Sequence, residues 1–420
     1  MSAEQLTIFD LLNQEEALPR NIKLLSLFSG IGAFEKALYN LGINCDLIGY
    51  CEKDRHASRS YSVIHDVTES MNLWDVTEVD EKTLPKNIDL LTYGFPCQDI
   101  SLAGKQKGLM YCEECYTENE IPDDYVKRAN NGEKFYCKKC GTELTLTRSG
   151  LFFDALRIIE ETKPRVAMAE NVKNLTGKKF NAQFQVVLAS LEAAGYNNYW
   201  AVLNLMDFGV PQNRERVFIV SIRKDLDKGL FEFPKGFPLN KCLRDVMEAV
   251  VDEKYFLDGK YESILKVNEH YSLLCGGKIG KMHDISRRVY SSEYVAPSLH
   301  TCGGGNQEPK VFQPRVLAGV GEKKSNGGKQ WYQQDRIYDN NIAISVTTSF
   351  NPYYLDANEG RPRKLTPSEC FRLMGFDDSD FHKAELVNSN TQLYKQAGNS
   401  IGVPVIEYII KQLLKCEIWE

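Results

Sequence analysis

Between Asn21 and Arg223 five short apolar runs, KLLSLF, CDLIGYCE, IDLLTYGF, RVAMAEN and RVFIVSI, each give way to a turn signal. Between them stand GAFEKALYNLG, LFFDALRIIEETK and NAQFQVVLASLEAAG, whose apolar positions recur at three and four residues. Apolar runs without polar alternation, separated by amphipathic helices, constrain this part of the chain to the α/β class: a wound, mainly parallel sheet. Lys163-Pro164 and Gly195 supply the stops of the last two helices. From Phe233 to Pro362 the texture changes to Gly, Ser, Asn and Tyr with short strand-like runs, which predicts a second, smaller, β-rich domain. Within it RVYSSEYVAPSL, starting at Arg288, and RIYDNNIAISVT, starting at Arg336, read as two similar hairpin-like units. Helical patterning returns in PSECFRLMGF and VPVIEYIIKQLLK, so the end of the chain is expected to pack back on the first domain. The expected division is an extension at 1–20, a first domain at 21–232, a second at 233–362 and a returning segment at 363–420.

A chain of 420 residues with 43% apolar content can bury a large core in two domains. The opening MSAEQLTIFDLL has no basic start, and no later run approaches the ~20 apolar residues of a membrane span, so no membrane association and a cytoplasmic location are expected. Most of the twelve cysteines stand singly in apolar segments, as reduced thiols do. The net charge of −6 does not mark a nucleic-acid binder, although 235–364 holds 19 Lys+Arg against 15 Asp+Glu, leaving −10 for the rest.

Several strand ends carry chemistry. In KLLSLFSGIGAFEKAL, Gly30 and Gly32 permit a tight turn and close approach of a ligand where open sheets bind cofactors. Glu52 closes the next strand, where its carboxylate can take two ribose hydroxyls. GFPCQDIS places Cys97 after Pro96 at a strand exit, a position from which a thiolate could attack a ligand in a cleft. Glu170 and Asn171 end RVAMA, and Gln212 to Arg216, QNRER, opens another strand with Arg214 and Arg216 on one side by period-two spacing. Cys112, Cys115, Cys137 and Cys140 form two CxxC pairs separated by 21 residues, with Gly141 after the second. That spacing predicts one structural Zn2+ held by four thiolates, with no open position for catalysis.

FSGIGAF, GFPCQ, ENV, QNRER, RKLTPSECFRLMGF and QAGNSIGVPV, in this order, resemble the motif series of the C5-cytosine-specific DNA methyltransferases of bacterial and phage restriction-modification type. The resemblance runs from about Lys23 to the last helix and implies a Rossmann-like S-adenosylmethionine-dependent catalytic domain, a target-recognition domain and duplex DNA between them. Carried over position by position, it makes Cys97 the nucleophile, Glu170 the acid beside cytosine N3, Arg216 a further active-site residue, and Arg214 and Gln98 their motif neighbours. Phe28, Gly30, Ile31, Gly32, Glu52, Asp75, Pro96, Leu151, Asn399 and Ser400 fall where the family binds S-adenosyl-L-methionine. DVTE occurs at both Asp66 and Asp75; Asp75 is preferred because it lies shortly before LPKNIDLL.

The implied reaction adds the Cys97 thiolate to cytosine C6, making C5 nucleophilic toward the methyl donor, while Glu170 and Arg216 meet charge growing at N3 and O2. The base must first leave the duplex stack, at a cost of a few kcal/mol. SLAGKQKGL, with Lys105, Gln106 and Lys107, reads as a loop that meets phosphates. The cysteine ribbon, at 111–146, reads as an insertion in this loop, a departure from the simpler family pattern. Arg288, Ser298, Gly303, Gly304, Arg336 and Ser345 are the expected DNA-facing positions of the recognition region. The implied partners are double-stranded DNA with a specific cytosine-containing site and, in a restriction-modification pairing, a cognate endonuclease acting separately; a monomer is expected. An RNA cytosine-5 methyltransferase and a catalytically silent DNA-binding relative are the alternatives.

Overall fold

The predicted apolar runs, with one edge strand that the pattern hides, form a six-stranded sheet. The computed structural model describes residues 21–96, 110–112, 114–115, 117–119, 128, 133–146, 148–241, 243–248, 250–255 and 361–419, with strands at 316–319, 323–325, 328–330, 336–338 and 353–356. Strand β1 (Ile22–Leu27) leads through the glycine turn into helix α1 (Ala33–Asn40), and β2 (Cys45–Cys51) leads into α2 (Arg55–His65). β3 (Leu90–Tyr93) ends just before Gly94-Phe95-Pro96. A small separate sheet of β4 (Met110–Cys112), β5 (Thr117–Glu118) and β6 (Thr145–Leu146), ordered β5-β4-β6, precedes α3 (Phe152–Thr162). The main sheet then continues with β7 (Val166–Val172), α4 (Asn181–Ala193), β8 (Tyr196–Asn204) and β9 (Glu215–Arg223).

The sheet order is β2-β1-β3-β7-β9-β8. The first four strands are parallel, whereas β9 runs antiparallel to both β7 and β8, so the sheet is mixed and mainly parallel, as expected. Alternation sorts the side chains into two cores, one on each face. Leu24, Leu90, Val166, Met168, Phe218 and Val220 point to one; Leu25, Leu27, Leu91, Ala167, Ala169, Val217 and Ile219 point to the other. A strand buried on both faces has no polar face to alternate with, which is why these segments read as continuous apolar runs. Helices α3 and α4 fill the second core through Phe152, Leu156, Ile159, Phe184 and Val187.

Four further strands, β10 (Val316–Gly319), β13 (Arg336–Tyr338), β14 (Tyr353–Asp356) and β15 (Arg361–Lys364), form a second sheet in that order, and β11 (Lys323–Ser325) pairs with β12 (Gly328–Gln330). The strand that Arg336 opens pairs antiparallel with β10 and parallel with β14. The RVY unit at Arg288 lies outside the described residues.

The chain then forms α5 (Pro367–Arg372), α6 (Asp378–Glu385), α7 (Asn390–Asn399) and α8 (Val403–Leu414). Thr366 and Glu369 close a capping box at the start of α5, with Pro367 in the first turn where its missing N–H costs nothing. Apolar residues of α8, among them Val403, Ile406, Ile410 and Leu413, share the first core with Phe34, Ala37 and Leu38 of α1. Buried Lys36 of α1 lies 2.6 Å from Asp377 and 2.8 Å from Asp380, and Ser60 donates to Gln396 at 2.8 Å. These contacts dock α6 and α7 against the helices that follow the first two strands. Among the described residues no helix is long and apolar enough to cross a membrane.

Candidate active site

The carboxyl ends of β1, β2, β3 and β7 converge, and each carries residues singled out by the sequence. After β1 the backbone takes three left-handed residues in five: Phe28 (φ 55), Gly30 (φ 57) and Gly32 (φ 80). A left-handed turn made largely of glycine aims N–H groups inward without side chains in the way. Gly30 N donates to Glu52 Oε2 at 2.9 Å, and a side chain at Gly30 would meet none of the described residues within 4 Å, so among them open space lies before the turn. Glu52, just past the end of β2, also accepts from Asp54 N at 2.7 Å. Burial pushes its carboxyl up to about 7, with the two backbone donors opposing the shift.

Asn72, a residue the sequence reading missed, fastens this strand end to the Trp74–Asp75 turn. Its Oδ1 accepts from Glu52 N at 3.1 Å and Trp74 N at 2.8 Å, while its Nδ2 donates to the Glu52 carbonyl and to Ser58 Oγ, both at 2.9 Å. A single buried amide thus uses both its ends, and it brings Trp74 (φ 60) and Asp75 alongside Glu52. Asp75 caps the following turn, accepting from Thr77 N at 3.2 Å, and pairs with Lys53, which holds its carboxyl below the usual range. Asp66 caps the far end of α2 and pairs with Lys383 at 2.8 Å, so of the two DVTE aspartates only Asp75 borders the Glu52 strand end. Arg157 of α3, also missed, donates to the carbonyls of Val76 and Val79 at 2.6 and 2.7 Å and secures the same turn. Half-buried Leu151 immediately precedes α3.

Glu170, near the end of β7, faces the middle of this edge. Its Oε1 lies 3.0 Å from Arg216 Nε, both side chains almost enclosed. Register explains the pair: Glu170 stands opposite Phe218 and Arg216 opposite Val172, which makes the two diagonal neighbours on one face of the β7–β9 ladder. Burial raises the Glu170 pKa above the usual carboxylate range, with Arg216 and then Arg214 pulling it back. Gly94 abuts this carboxylate, since a Cβ there would lie 3.9 Å from Glu170 Oε2 and 3.7 Å from Ile401 Cδ1. Asn171 Nδ2 donates to the Phe95 carbonyl at 3.0 Å, so the acid's own neighbour holds the Gly94–Pro96 segment against β7.

Arg214 and Arg216 meet at the same sheet end, as the spacing suggested, but with different partners. Buried Arg214 donates to the carbonyls of Gly398 (3.0 Å) and Ser400 (2.7 Å), pinning the junction that carries exposed Asn399 and buried Ser400. Its geometry is that of a positioning residue. Cys97, Gln98, Lys105, Gln106, Lys107, Arg288, Ser298, Gly303, Gly304 and Ser345 lie outside the described residues, and of Arg336 only the backbone strand is described.

The four paired cysteines come together. Their sulfurs all lie within 4.8 Å of one another, with Cys112–Cys140 and Cys115–Cys137 each at 3.4 Å. Gly141 (φ 74) turns back so that its N–H meets the Cys137 carbonyl at 2.9 Å, and Cys137 N donates to the Thr142 carbonyl at 2.8 Å. Such a cluster has the donor set and compactness of a tetrahedral thiolate site. Phe135 and Leu144, flanking the second pair, pack against the α3 side of the core.

A mixed sheet whose first strand ends in a left-handed glycine turn, whose second ends in a buried carboxylate and whose later strands juxtapose a glutamate and an arginine defines the class of methyltransferases built on the S-adenosylmethionine fold. The model of the C-5 cytosine-specific DNA methylases matches residues 22–112 and 137–415. The chain belongs to that family and is a DNA cytosine-5 methyltransferase. It is 36% identical to the orphan methyltransferase M.SPBetaI of Bacillus phage SPbeta, over 94% of this chain and 97% of that one. It is 30% identical to the type II methyltransferase M.HhaI of Haemophilus parahaemolyticus, over 92% and 93%. Among solved structures, the Dnmt2 methyltransferase of S. pombe shares the fold with a TM-score of 0.52 at 18% identity, covering 94% of this chain and 98% of its own. The Entamoeba histolytica methyltransferase EhMeth does so with a TM-score of 0.55 at 14% identity, covering 94% and 98%.

Proposed function

We propose that Cys97 is the nucleophile that adds to C6 of a flipped cytosine in duplex DNA, with Glu170 as the acid at N3 and Arg216 as its electrostatic partner. The observation that carries this reading is the enclosed Glu170–Arg216 pair at 3.0 Å, directly beside the Gly94–Pro96 segment that leads into Cys97. Addition of the thiolate to C6 pushes electrons into the ring and makes C5 nucleophilic. Glu170, whose burial favours the protonated form, hydrogen-bonds N3 and meets the charge that grows there. Arg216 orients that carboxyl from the neighbouring strand. After methyl transfer the C5 proton passes to a base, its bonding pair re-forms the C5–C6 double bond, and the C6–Sγ bond breaks to return the Cys97 thiolate. Arg214 and Asn171 act through what they hold, the 398–400 junction and the Phe95 carbonyl.

S-adenosylmethionine, when bound, supplies the methyl group. The turn from Phe28 through Ile31 to Gly32, with Glu52, Asp75, Pro96, Leu151, Asn399 and Ser400, would hold it. The open space before Gly30 and a buried carboxylate set against a backbone N–H suit a ligand that presents a ribose diol. Cys112, Cys115, Cys137 and Cys140 would hold a single structural Zn2+, since a tetrahedral tetrathiolate with Zn–S of about 2.3 Å sets its sulfurs roughly 3.8 Å apart, between the 3.4 Å of the two short pairs and the 4.8 Å within which all four lie. The proposed division is a catalytic domain at 21–232 with its ribbon at 111–146, target recognition at 233–362 and a C-terminal return at 363–420. Duplex DNA containing 5-fluorocytosine at the target tests the mechanism: wild-type protein forms a covalent adduct mapped to Cys97, Cys97→Ser forms none, and methylation without an adduct at Cys97 refutes it.

A further inference from the structure

Gly32 opens α1 with a left-handed backbone, and no side chain could stand there: a Cβ would lie 2.0 Å from His65 Nε2. The imidazole fills that place, with Nε2 3.0 Å from the Ile31 carbonyl. A carbonyl only accepts, so the proton of the neutral ring belongs on Nε2. Enclosure of the ring pushes its pKa below the usual range, which keeps it neutral. The ring is itself held in place. Tyr61, one helical turn earlier in α2, packs at 4.8 Å from it, stacks on Tyr50 of β2 at 3.9 Å and donates its hydroxyl to Glu35 of α1 at 2.8 Å. Tyr50 stands two residues before Glu52 and hydrogen-bonds Ser58 and Ser62 of α2. One assembly of α2 side chains therefore lies under both the glycine turn and the strand end that carries Glu52.

We propose that His65 is a positioning residue for the methyl donor, its Nε2–H fixing the Ile31 carbonyl and its ring standing where a side chain at Gly32 would be, so that the 28–32 turn keeps its binding shape before the donor arrives. The inference rests on the reading of that turn as the S-adenosylmethionine site. His65 touches neither the donor nor the reacting atoms, so its removal acts on affinity and leaves the chemical step alone.

Two substitutions separate the hydrogen bond from the packing. His65→Phe keeps a ring and loses the donor; His65→Gln can place an amide N–H on the Ile31 carbonyl. Calorimetric titration with S-adenosylmethionine, and steady-state kinetics on a DNA substrate, give Kd, KM and kcat for each. His65→Phe is expected to weaken Kd and KM for the donor about tenfold, the scale of one lost hydrogen bond, with kcat at saturation within about twofold of wild type. His65→Gln is expected to stay within about threefold throughout. Equal weakening by both variants, wild-type affinity in His65→Phe, or a fall in kcat at constant KM overturns the assignment. If His65→Phe does not fold, His65→Leu, smaller and likewise without a donor, asks the same question: it should weaken Kd for the donor about tenfold, and wild-type affinity in it overturns the assignment. Glu52→Ala is the control for the site itself, because a Glu52→Ala protein that binds the donor normally removes the cofactor reading and the role of His65 with it.

Discussion

Glu52→Gln should change how stability depends on pH, by an amount that the carboxyl's surroundings set. Burial lifts this group from an ordinary 4.5 to about 7 in the folded protein. Between those values the native state holds a proton that the unfolded chain has released, so the contribution of Glu52 is fully present below 4.5 and lost as pH rises through 7. Integrating that proton difference from pH 5 to pH 8 gives a loss of roughly 2–3 kcal/mol. Glutamine cannot ionise and removes the tilt. It also presents an NH2 to one of the two backbone donors at Gly30 and Asp54, but that penalty is the same at both pH values and cancels in the comparison. Urea unfolding of the ligand-free wild type and variant at pH 5 and pH 8 measures the effect directly. The variant should gain about 2–3 kcal/mol relative to wild type on going from pH 5 to pH 8. Parallel curves would refute the claim that Glu52 is held partly protonated by burial. On the proposed role of Glu52, the donor's ribose hydroxyls favour the ionised carboxylate, so wild-type affinity for S-adenosylmethionine should fall up to about tenfold per unit below pH 7, while the weaker binding of the variant stays flat.

Glu170→Gln should lower kcat by about 10²–10⁴-fold with little change in donor affinity. Because burial raises the pKa of Glu170, the wild-type rate should decline as pH climbs through that raised value, and a Gln variant that keeps this limb would reassign it to another group. Asn72→Ala removes four hydrogen bonds, strands two backbone N–H groups of the Glu52 and Trp74 turns, and should cost about 2–4 kcal/mol of stability. Thermal unfolding checks it, and a loss below about 0.5 kcal/mol would show that water replaces the amide freely. The purified protein should contain one zinc per chain by elemental analysis, and Cys137→Ser should release it; a metal-free, fully active wild type would end that reading.

Sequence patterning revealed the parts of the fold whose burial is apolar. Doubly covered strands such as Leu90–Tyr93 and Val166–Val172 read as unbroken hydrophobic runs, and the turns they end in carry the residues that converge at the site. Helix α2 was hidden because its inward face is partly polar: Ser58 and Ser60 are fully buried but satisfied by Tyr50, Asn72 and Gln396. Periodicity detects apolar burial and cannot see burial that hydrogen bonds compensate. For the same reason nothing in the string marked Asn72 or His65, whose roles depend on partners that only the folded chain supplies. Strand β8 escaped because it lies at the sheet edge, where exposed Asn197 and half-buried Asn198 break up its apolar run. Period-two spacing brought Arg214 and Arg216 to one place yet could not foresee that the first would hold backbone carbonyls and the second a carboxylate.

The family model stops at residue 112 and resumes at 137, and the four thiols stand at the two edges of that gap. With Cys112 and Cys140 sulfurs 3.4 Å apart, a shared metal would make the two stems a closed collar whose width no longer depends on what is strung between them. Lengthening a loop already clipped at its base adds little entropy, of order 0.6 kcal/mol per doubling. With that metal in place, such a collar would be a socket in which a tag or another module could be seated without moving the strand ends proposed to do the chemistry.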